Sequence, residues 1–327
     1  MIMNKSMSYL ILLILFGGLG AQSNYEDYLK KDQQAFSEYE ASITAAYEKY
    51  ELEDKQAFEK FKREVEGKWE EFKSPTKKEY VEYDDKKESR TSVDFENGTI
   101  TIEVLLEDGV DPDKAQQKLE DATERIVQSK GADNKPLLEN QLETPKMEKV
   151  TPSNIQKISS ELVKKDKIQV KKNHRGDDGK KRTKFTIVIP LKKNHLDERA
   201  KRYEKIVLKY SAKFAIDPAI VFAVIETESA FNPKAKSHIP AYGLMQLVPK
   251  SGARDAYLYV YKKDKYLRPG YLYTPEKNIE LGCAYLAKIK NVYFKGITDD
   301  EKAYICVIPA YNTGIGNVSL KIGRAHV

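Results

Sequence analysis

The sequence has 327 residues, which is enough for two domains and a leader segment. Hydrophobic residues make up 40% of it and charged residues 32%, a composition typical of a soluble globular protein with large solvated surfaces. The net charge of +6 favours an anionic partner, such as a cell-wall polymer, a membrane surface or a nucleic acid, without choosing among them. Cysteine and histidine are too few and too scattered for a metal site, and no motif indicates a cofactor.

Residues 1–21 have the pattern of a secretory signal peptide. Lys5 supplies the positive start, residues 9–16 form an apolar stretch, and residues 17–21 are mostly small, as cleavage requires. The apolar stretch is short for a membrane span, although an uncleaved N-terminal anchor stays open. No Cys lies near the cleavage region to carry a lipid. We therefore expect an exported protein of the periplasm or cell envelope, with membrane association, including association with the outer membrane, undecided.

A long helix is predicted over residues 24–73, because aromatic and aliphatic residues recur there every three or four positions among many charges. The segments that follow alternate apolar and polar residues, and Asn97-Gly98 between two of them is a pair that favours a type I′ turn. This region predicts strands at 79–83, 90–95, 99–106, 167–172 and 182–191, and helices at 111–131 and 153–163.

From about residue 196 the apolar spacing becomes wholly helical. The Tyr-rich stretch 257–273 is predicted to be irregular, and the A-Y-N sequence at 310–312 is expected in a loop after the last helix. The whole pattern predicts an α+β fold, in which an N-terminal α+β accessory domain at 22–195 precedes a mainly α-helical domain at 196–327.

One acidic residue of the helical domain, Glu228, lies where an apolar residue is expected. Its helix is predicted to start at Asp217-Pro218 and to stop at Asn232-Pro233. Helical spacing puts Glu228 on the apolar face and Glu226 on the opposite, solvated face. Burial would raise the pKa of such a carboxyl group and suit it to act as a general acid. The alternative is a carboxylate that reaches water at the helix end or pairs with a Lys.

Three further motifs follow Glu228-Ser229 in sequence order, and each places a polar group in an apolar segment. They are G-L-M-Q at 243–246, N-I-E-L-G at 278–282 and A-Y-N at 310–312. Together the motifs resemble the catalytic signature of the lytic transglycosylases, whose catalytic domain has the goose-type lysozyme fold. The long amino-terminal helix and the V-D-F-E-N-G-T-I-T-I-E-V sequence at 93–104 also resemble the accessory domain of membrane-bound members of that family.

The resemblance implies cleavage of the β-1,4 bond between N-acetylmuramic acid and N-acetylglucosamine in peptidoglycan, with formation of 1,6-anhydromuramic acid. Glu228 would serve as acid and then as base, and no second carboxylate falls in a matching motif, since Glu226 is on the wrong face and Glu280 is expected in solvent. The substrate-binding residues that the resemblance implies are Ser229, Gly243, Met245, Gln246, Tyr311 and Asn312. Among these, Tyr311 would stack on a sugar or bond to Glu228, and Asn312 would hold its loop.

Two other functions remain open from the sequence. A hydrolytic goose-type muramidase would use water in place of the sugar hydroxyl, and a non-catalytic protein would only bind the cell wall. Nucleic-acid binding is disfavoured, because the chain has no aromatic ladder and no glycine-rich phosphate loop. Cys283 and Cys306 are expected to be unpaired, although an oxidising compartment would permit a disulfide. The oligomeric state is not indicated.

The sequence at the carboxyl end predicts that this chain is a fragment. The resemblance implies further helices after A-Y-N, one of them with a Tyr that lines the groove. Residues 322–327, I-G-R-A-H-V, read like the translation of a sequencing-library adapter. We therefore expect the predicted function to belong to a longer parent chain.

Overall fold

The structure is a computed structural model that describes the backbone of residues 6–318 and the side chains of residues 25–318 except Pro112. The first residues of the predicted signal peptide and the adapter-like tail at 322–327 therefore lie outside the described residues. The chain divides into two compact units, Met1–Ala57 and Phe58–Val327. No helix within residues 6–318 is both long enough and apolar enough to cross a membrane.

The amino-terminal helix α1 covers Ser6–Glu66, so it ends earlier than the predicted residue 73. It stops there because the chain turns at Gly67 and brings Trp69 back against Val65, whose carbonyl accepts a hydrogen bond of 2.8 Å from the Trp69 amide. The Trp69 side chain is 1% exposed and donates its indole N–H to the Lys87 carbonyl at 2.8 Å. Tertiary packing of one large side chain thus overrides the helical periodicity.

A five-stranded antiparallel sheet follows, with the strand order β1-β2-β3-β5-β4. The predicted hairpin between β2 and β3 is present, but the type I′ turn was wrong, because only Gly98 of the Asn97-Gly98 pair has a positive φ. Asp94 instead organises a longer loop by accepting the amide hydrogens of Glu96 and Asn97. The strands are β1 (Glu79–Tyr83), β2 (Ser89–Asp94), β3 (Thr99–Glu107), β4 (Gln169–Arg175) and β5 (Lys181–Pro190).

Two helices, α2 (Pro112–Gln128) and α3 (Ile155–Leu162), pack together, and α2 contacts β2, β3 and β5. The residues between helix and sheet, such as Ile100, Ile102 and Leu119, are 0% exposed, which makes this the first hydrophobic core of the chain. A short 3₁₀ turn at Lys165–Lys167 leads into β4.

The rest of the described chain is helical, and α8 lies at its centre, in contact with α4, α6, α7 and α9. The helices form a second core, and with the sheet they confirm the α+β fold. The Tyr-rich stretch predicted as irregular is in part helical, since it contributes the end of the helix α6 (Gly252–Tyr261) and the whole of the short helix α7 (Pro269–Leu272). The helices are α4 (His195–Phe214), α5 (Pro218–Ser229), α6 (Gly252–Tyr261), α7 (Pro269–Leu272), α8 (Pro275–Lys288), followed by a π-helical turn (Ile289–Tyr293), and α9 (Asp300–Thr313).

A buried guanidinium joins the α/β part to the helical part. Arg199 of α4 is 2% exposed and donates to the carbonyls of Phe95 and Ala230 and, at 2.7 Å, to Oε1 of Gln141. Burial lowers the pKa of Arg199 to about 10, so the group is still charged at neutral pH. Because Ala230 directly follows α5, this side chain fixes the end of the helix that carries Glu228.

Replacing Arg199 tests this joint. R199M leaves buried carbonyl acceptors without a donor, and we expect it to lower the free energy of unfolding by about 2–4 kcal/mol in urea titrations. The control is K201M on the same helix, because the Lys201 side chain is 67% exposed and makes only a 3.7 Å ion pair with Glu198. Equal stability of the two variants would contradict the role given to Arg199.

Candidate active site

Helix α5 carries the candidate acid where the sequence predicts it. The side chain of Asp217 accepts the Ala219 amide at 2.8 Å, and Pro218 occupies the first helical position. The helix ends where Ala230 and Phe231 both adopt a left-handed backbone, with φ of 47° and 58°. This sharp exit turns the chain back over the last turn of α5.

Glu228 is 8% exposed, whereas Glu226 on the same helix is exposed. The apolar neighbours Val224 and Ile225 share the buried face, as the helical spacing predicts. A carboxylate in such a position needs a partner, since an isolated buried charge is costly.

The partner is Lys77, whose Nζ lies 2.7 Å from Oε2 of Glu228. Lys77 belongs to the segment between α1 and β1, far from α5 in sequence. Pairing with a Lys was the alternative that the sequence left open, so burial and pairing both occur. Among the described residues, none donates to the second carboxylate oxygen, Oε1 of Glu228.

The G-L-M-Q motif forms a tight turn beside α5. Gly243 has a φ of 75°, and a Cβ there would collide with the Leu272 carbonyl oxygen and with the Asn278 amide. Its carbonyl accepts the Gln246 side-chain amide at 3.0 Å. Only glycine therefore fits this position without strain, which explains the first letter of the motif.

Met245 and Gln246 lie on this turn in different environments. Met245 is 0% exposed and packs against Gly282 of α8, whose added Cβ would meet the Met245 sulfur. Gln246 is 7% exposed and has a φ of 48°. Its buried Oε1 has no hydrogen-bond partner among the described residues. An unpartnered buried amide oxygen is unusual in a folded protein.

Ser229 ties the acid helix to the turn. Its hydroxyl lies 2.9 Å from the Ile225 carbonyl and 2.8 Å from the Leu244 carbonyl, and the residue is 0% exposed. The observed contacts of Ser229 are therefore to backbone oxygens.

The A-Y-N motif belongs to α9 and not to the expected loop. Tyr311 donates its hydroxyl to the Met245 carbonyl at 2.7 Å, and its ring lies 5.5 Å from that of Tyr285. Burial, and next to it the negative charge of Glu228, raise the pKa of Tyr311 well above its ordinary value. Asn312 is exposed on the same helix. Tyr311 thus stands beside the acid, bonded to the turn.

Asn278, which sequence reasoning quoted only within a motif, is the residue that holds the turn. It is 0% exposed and accepts the Met245 amide at 2.7 Å. Its Nδ2 donates to the carbonyls of Tyr242 and Leu272, both at 2.8 Å. An Asn on the buried face of α8 was the signal that could have identified it.

The expectation that Glu280 lies in solvent was wrong. Glu280 is 5% exposed, and its two oxygens accept from Lys213 at 2.8 Å and from the Tyr261 hydroxyl at 2.7 Å. Burial, and then Glu280, raise the pKa of Tyr261 above its ordinary range. Neighbours from α4 and α6 therefore compensate the buried charge, which periodicity within α8 alone could not show.

The cysteines are unpaired, as expected. Cys283 is buried in α8, and burial raises the pKa of its thiol to about 12, so it is an inert apolar side chain at neutral pH. Cys306 is partly buried in α9.

Two regions of the chain match known protein families. Residues 29–122 match the N-terminal domain of membrane-bound lytic murein transglycosylase C, and residues 205–326 match the transglycosylase SLT domain. The membrane-bound lytic murein transglycosylases C of Klebsiella pneumoniae and Cronobacter sakazakii are 33% and 32% identical to this chain, over 74% of it and 68% of each relative. The 70 kDa soluble lytic transglycosylase of Escherichia coli is 32% identical over 37% of this chain and 18% of its own, with a TM-score of 0.31.

The SLT match over the helical domain defines the class of protein, an enzyme of the lytic transglycosylases. Within that class, the chain belongs to the family of membrane-bound lytic murein transglycosylase C, which the matches at both ends and the relatives show together.

Substitution of Gly243 tests the turn. G243A forces a side chain into a left-handed backbone and against Leu272 and Asn278, and we expect a loss of about 2 kcal/mol or more in unfolding free energy. G270A is the control, since a Cβ at Gly270 would meet nothing within 4 Å. Thermal or urea unfolding of both variants measures the difference, and a G243A protein as stable as G270A would show that the turn tolerates a side chain.

Proposed function

We propose that this chain cleaves the bond between N-acetylmuramic acid and N-acetylglucosamine in peptidoglycan and forms 1,6-anhydromuramic acid, with Glu228 as the single acid and base. The observation that carries the proposal is the buried Glu228 carboxylate with the motif residues assembled around it. Ser229 bonds to the Leu244 carbonyl, Tyr311 bonds to the Met245 carbonyl, and Glu228 adds to the rise in the Tyr311 pKa.

The surroundings of the other acidic residues near Glu228 support a mechanism that uses a single carboxylate. Glycosidases with two carboxylates place both beside the scissile bond. Glu226 is exposed on the opposite face of α5. Glu280 is buried, but Lys213 and Tyr261 occupy both of its oxygens. Of the two buried acids, Glu228 and Glu280, Glu228 is the one that keeps an oxygen without a donor among the described residues.

The reaction then proceeds without water. The protonated Glu228 gives its proton to the glycosidic oxygen as the bond from that oxygen to C1 of the muramoyl sugar breaks. The resulting carboxylate takes the proton of the C6 hydroxyl of the same sugar, and the C6 oxygen closes onto C1. Glu228 ends in its starting state, and the reaction is of the lyase type because no water is consumed.

The remaining motif residues position the sugar and the acid. Gln246 would bind the sugar through its unpartnered amide oxygen, and Gly243 lets the backbone approach closely. Tyr311 would support the sugar or the acid from α9. Ser229 and Met245 contribute through the turn that they hold, and Asn312 lies exposed where a bound strand could reach it.

The proposed substrate and location follow from the family. The relatives are named as membrane-bound murein transglycosylases, which supports a place in the cell envelope and peptidoglycan as the partner. Export through a signal peptide at residues 1–21 belongs to the same proposal. The boundary between an accessory domain at 22–195 and a catalytic domain at 196–327 is supported by the separate hydrophobic cores and by the separate family matches.

Product analysis tests the mechanism. Purified peptidoglycan digested by the wild-type protein should yield anhydromuropeptides in mass spectrometry, and E228Q should lower the rate by about 10²-fold or more, because the amide cannot donate the acidic proton. E226Q is the matched control, because Glu226 lies two residues away on the opposite, exposed face of α5, and it should keep wild-type activity.

Other products separate the rival functions. Reducing muramic acid ends would show hydrolysis by a muramidase. Binding of murein without cleavage, with E228Q equal to wild type, would show a wall-binding protein.

A further inference from the structure

The contact between Lys77 and Glu228 is not explained by the proposed chemistry. With Nζ at 2.7 Å from Oε2, the ammonium occupies one oxygen of the Glu228 carboxylate. A general acid must carry a proton when the glycosidic bond breaks. The ion pair must therefore open before the first step, which frees the Lys77 ammonium for another anion.

The geometry allows the side chain to move while its backbone stays. The Lys77 carbonyl accepts the Asn232 side-chain amide at 3.3 Å, and the neighbouring Thr76 carbonyl accepts the Lys236 amide at 3.4 Å. These bonds hold the segment against the loop that follows α5. The Lys77 side chain is 47% exposed, whereas that of Glu228 is 10% exposed, so the flexible partner is the lysine.

The loop that follows α5 carries two further lysines with no ion pair among the described residues. Lys234 lies 4.9 Å from the centre of the Tyr80 ring, and burial lowers the pKa of its ammonium. Lys236 lies 5.8 Å from the centre of the Phe58 ring. The charge of Glu82 offsets the effect of burial on Lys234 only in part, so a half-buried ammonium of this kind gains from an anionic ligand that compensates its lost hydration.

We propose that Lys77 is an exchangeable counter-ion: it pairs with Glu228 in the free enzyme and transfers to a carboxylate of the bound glycan strand, which Lys234 and Lys236 help to hold. This inference rests on the proposed function and names the substrate as strands that carry carboxylates. Such strands would release the acid from its ion pair as they bind, so recognition and activation would be one event.

Murein offers this carboxylate from two sources. The peptide stems carry free carboxylates, whereas the lactyl carboxylate of muramic acid is free only after the stem has been removed. Three substrates separate them: glycan with native stems, glycan stripped of its stems by an amidase, and native-stem glycan whose carboxylates have been converted to amides.

K77M is the test variant and K78M the control, because Lys78 is adjacent and pairs with Glu96 at 2.5 Å rather than with Glu228. On native-stem glycan we expect K77M to raise KM about three- to tenfold, as loss of a part-exposed charge contact would. On amidated glycan K77M should be at least as active as wild type, since no anion then compensates the opening of the ion pair. K77R should restore wild-type behaviour on native stems.

The pattern across substrates decides the outcome. A Lys77 effect on native stems assigns the stem carboxylates, because the lactyl group is blocked there. Its loss on stem-free glycan shows that only the stem carboxylates serve, and its persistence there shows that the freed lactyl carboxylate serves as well. An equal loss for K77M on native and amidated glycan, or no difference between K77M and K78M, overturns the inference.

A binding measurement separates this result from failure of the proposed reaction. Sedimentation with insoluble murein should show weaker binding of the K77M/E228Q protein than of E228Q on native stems, with no difference on amidated murein. If the wild-type protein yields no anhydro product, the proposed reaction fails while this binding comparison still decides the role of Lys77. Equal binding of both proteins to native murein overturns that role.

Discussion

The candidate site depends on the hydrogen bonds of the Asn278 side-chain amide. A single buried side chain accepts from the Met245 amide and donates to the carbonyls of Tyr242 and Leu272, so α8 fixes the chain on both sides of the G-L-M-Q turn. The Tyr242 carbonyl also accepts the Leu247 amide, but the Met245 amide and the Leu272 carbonyl have only Asn278 as a partner among the described residues. Leaving these two groups buried without a partner would cost about 1–3 kcal/mol apiece.

This turn links the acid to the rest of the domain. The Leu244 carbonyl accepts from Ser229 at the end of α5, and the Met245 carbonyl accepts from Tyr311 of α9. Backbone oxygens of one short turn therefore set the distances between helices that are remote in sequence. Most motif letters specify this scaffold, whereas Glu228 and Gln246 each keep a side-chain oxygen without a donor among the described residues.

Periodicity and capping residues in the sequence predicted the secondary-structure features that local interactions determine. The strands, the start of α5 and the inward position of Glu228 follow from periodicity and capping, and the structure has them where the sequence indicates. The misses have long-range causes. Helix α1 stops early because Trp69 packs against the sheet side, and Glu280 is buried because Lys213 and Tyr261 reach it from other helices. Lys77 beside the acid could not be foreseen, since nothing in its own segment marks it.

The position of Lys77 in the chain also affects how the division of this family into two modules is understood. Its segment lies within residues 29–122, matched by the N-terminal family, whereas Glu228 lies within the SLT match. The two modules match separate family models, yet one residue of each forms a single ion pair. Recombination that joined this SLT domain to a different amino-terminal domain would keep every motif residue but replace the residue that pairs with Glu228. Such chimeras would then differ in substrate preference without any substitution in the SLT domain.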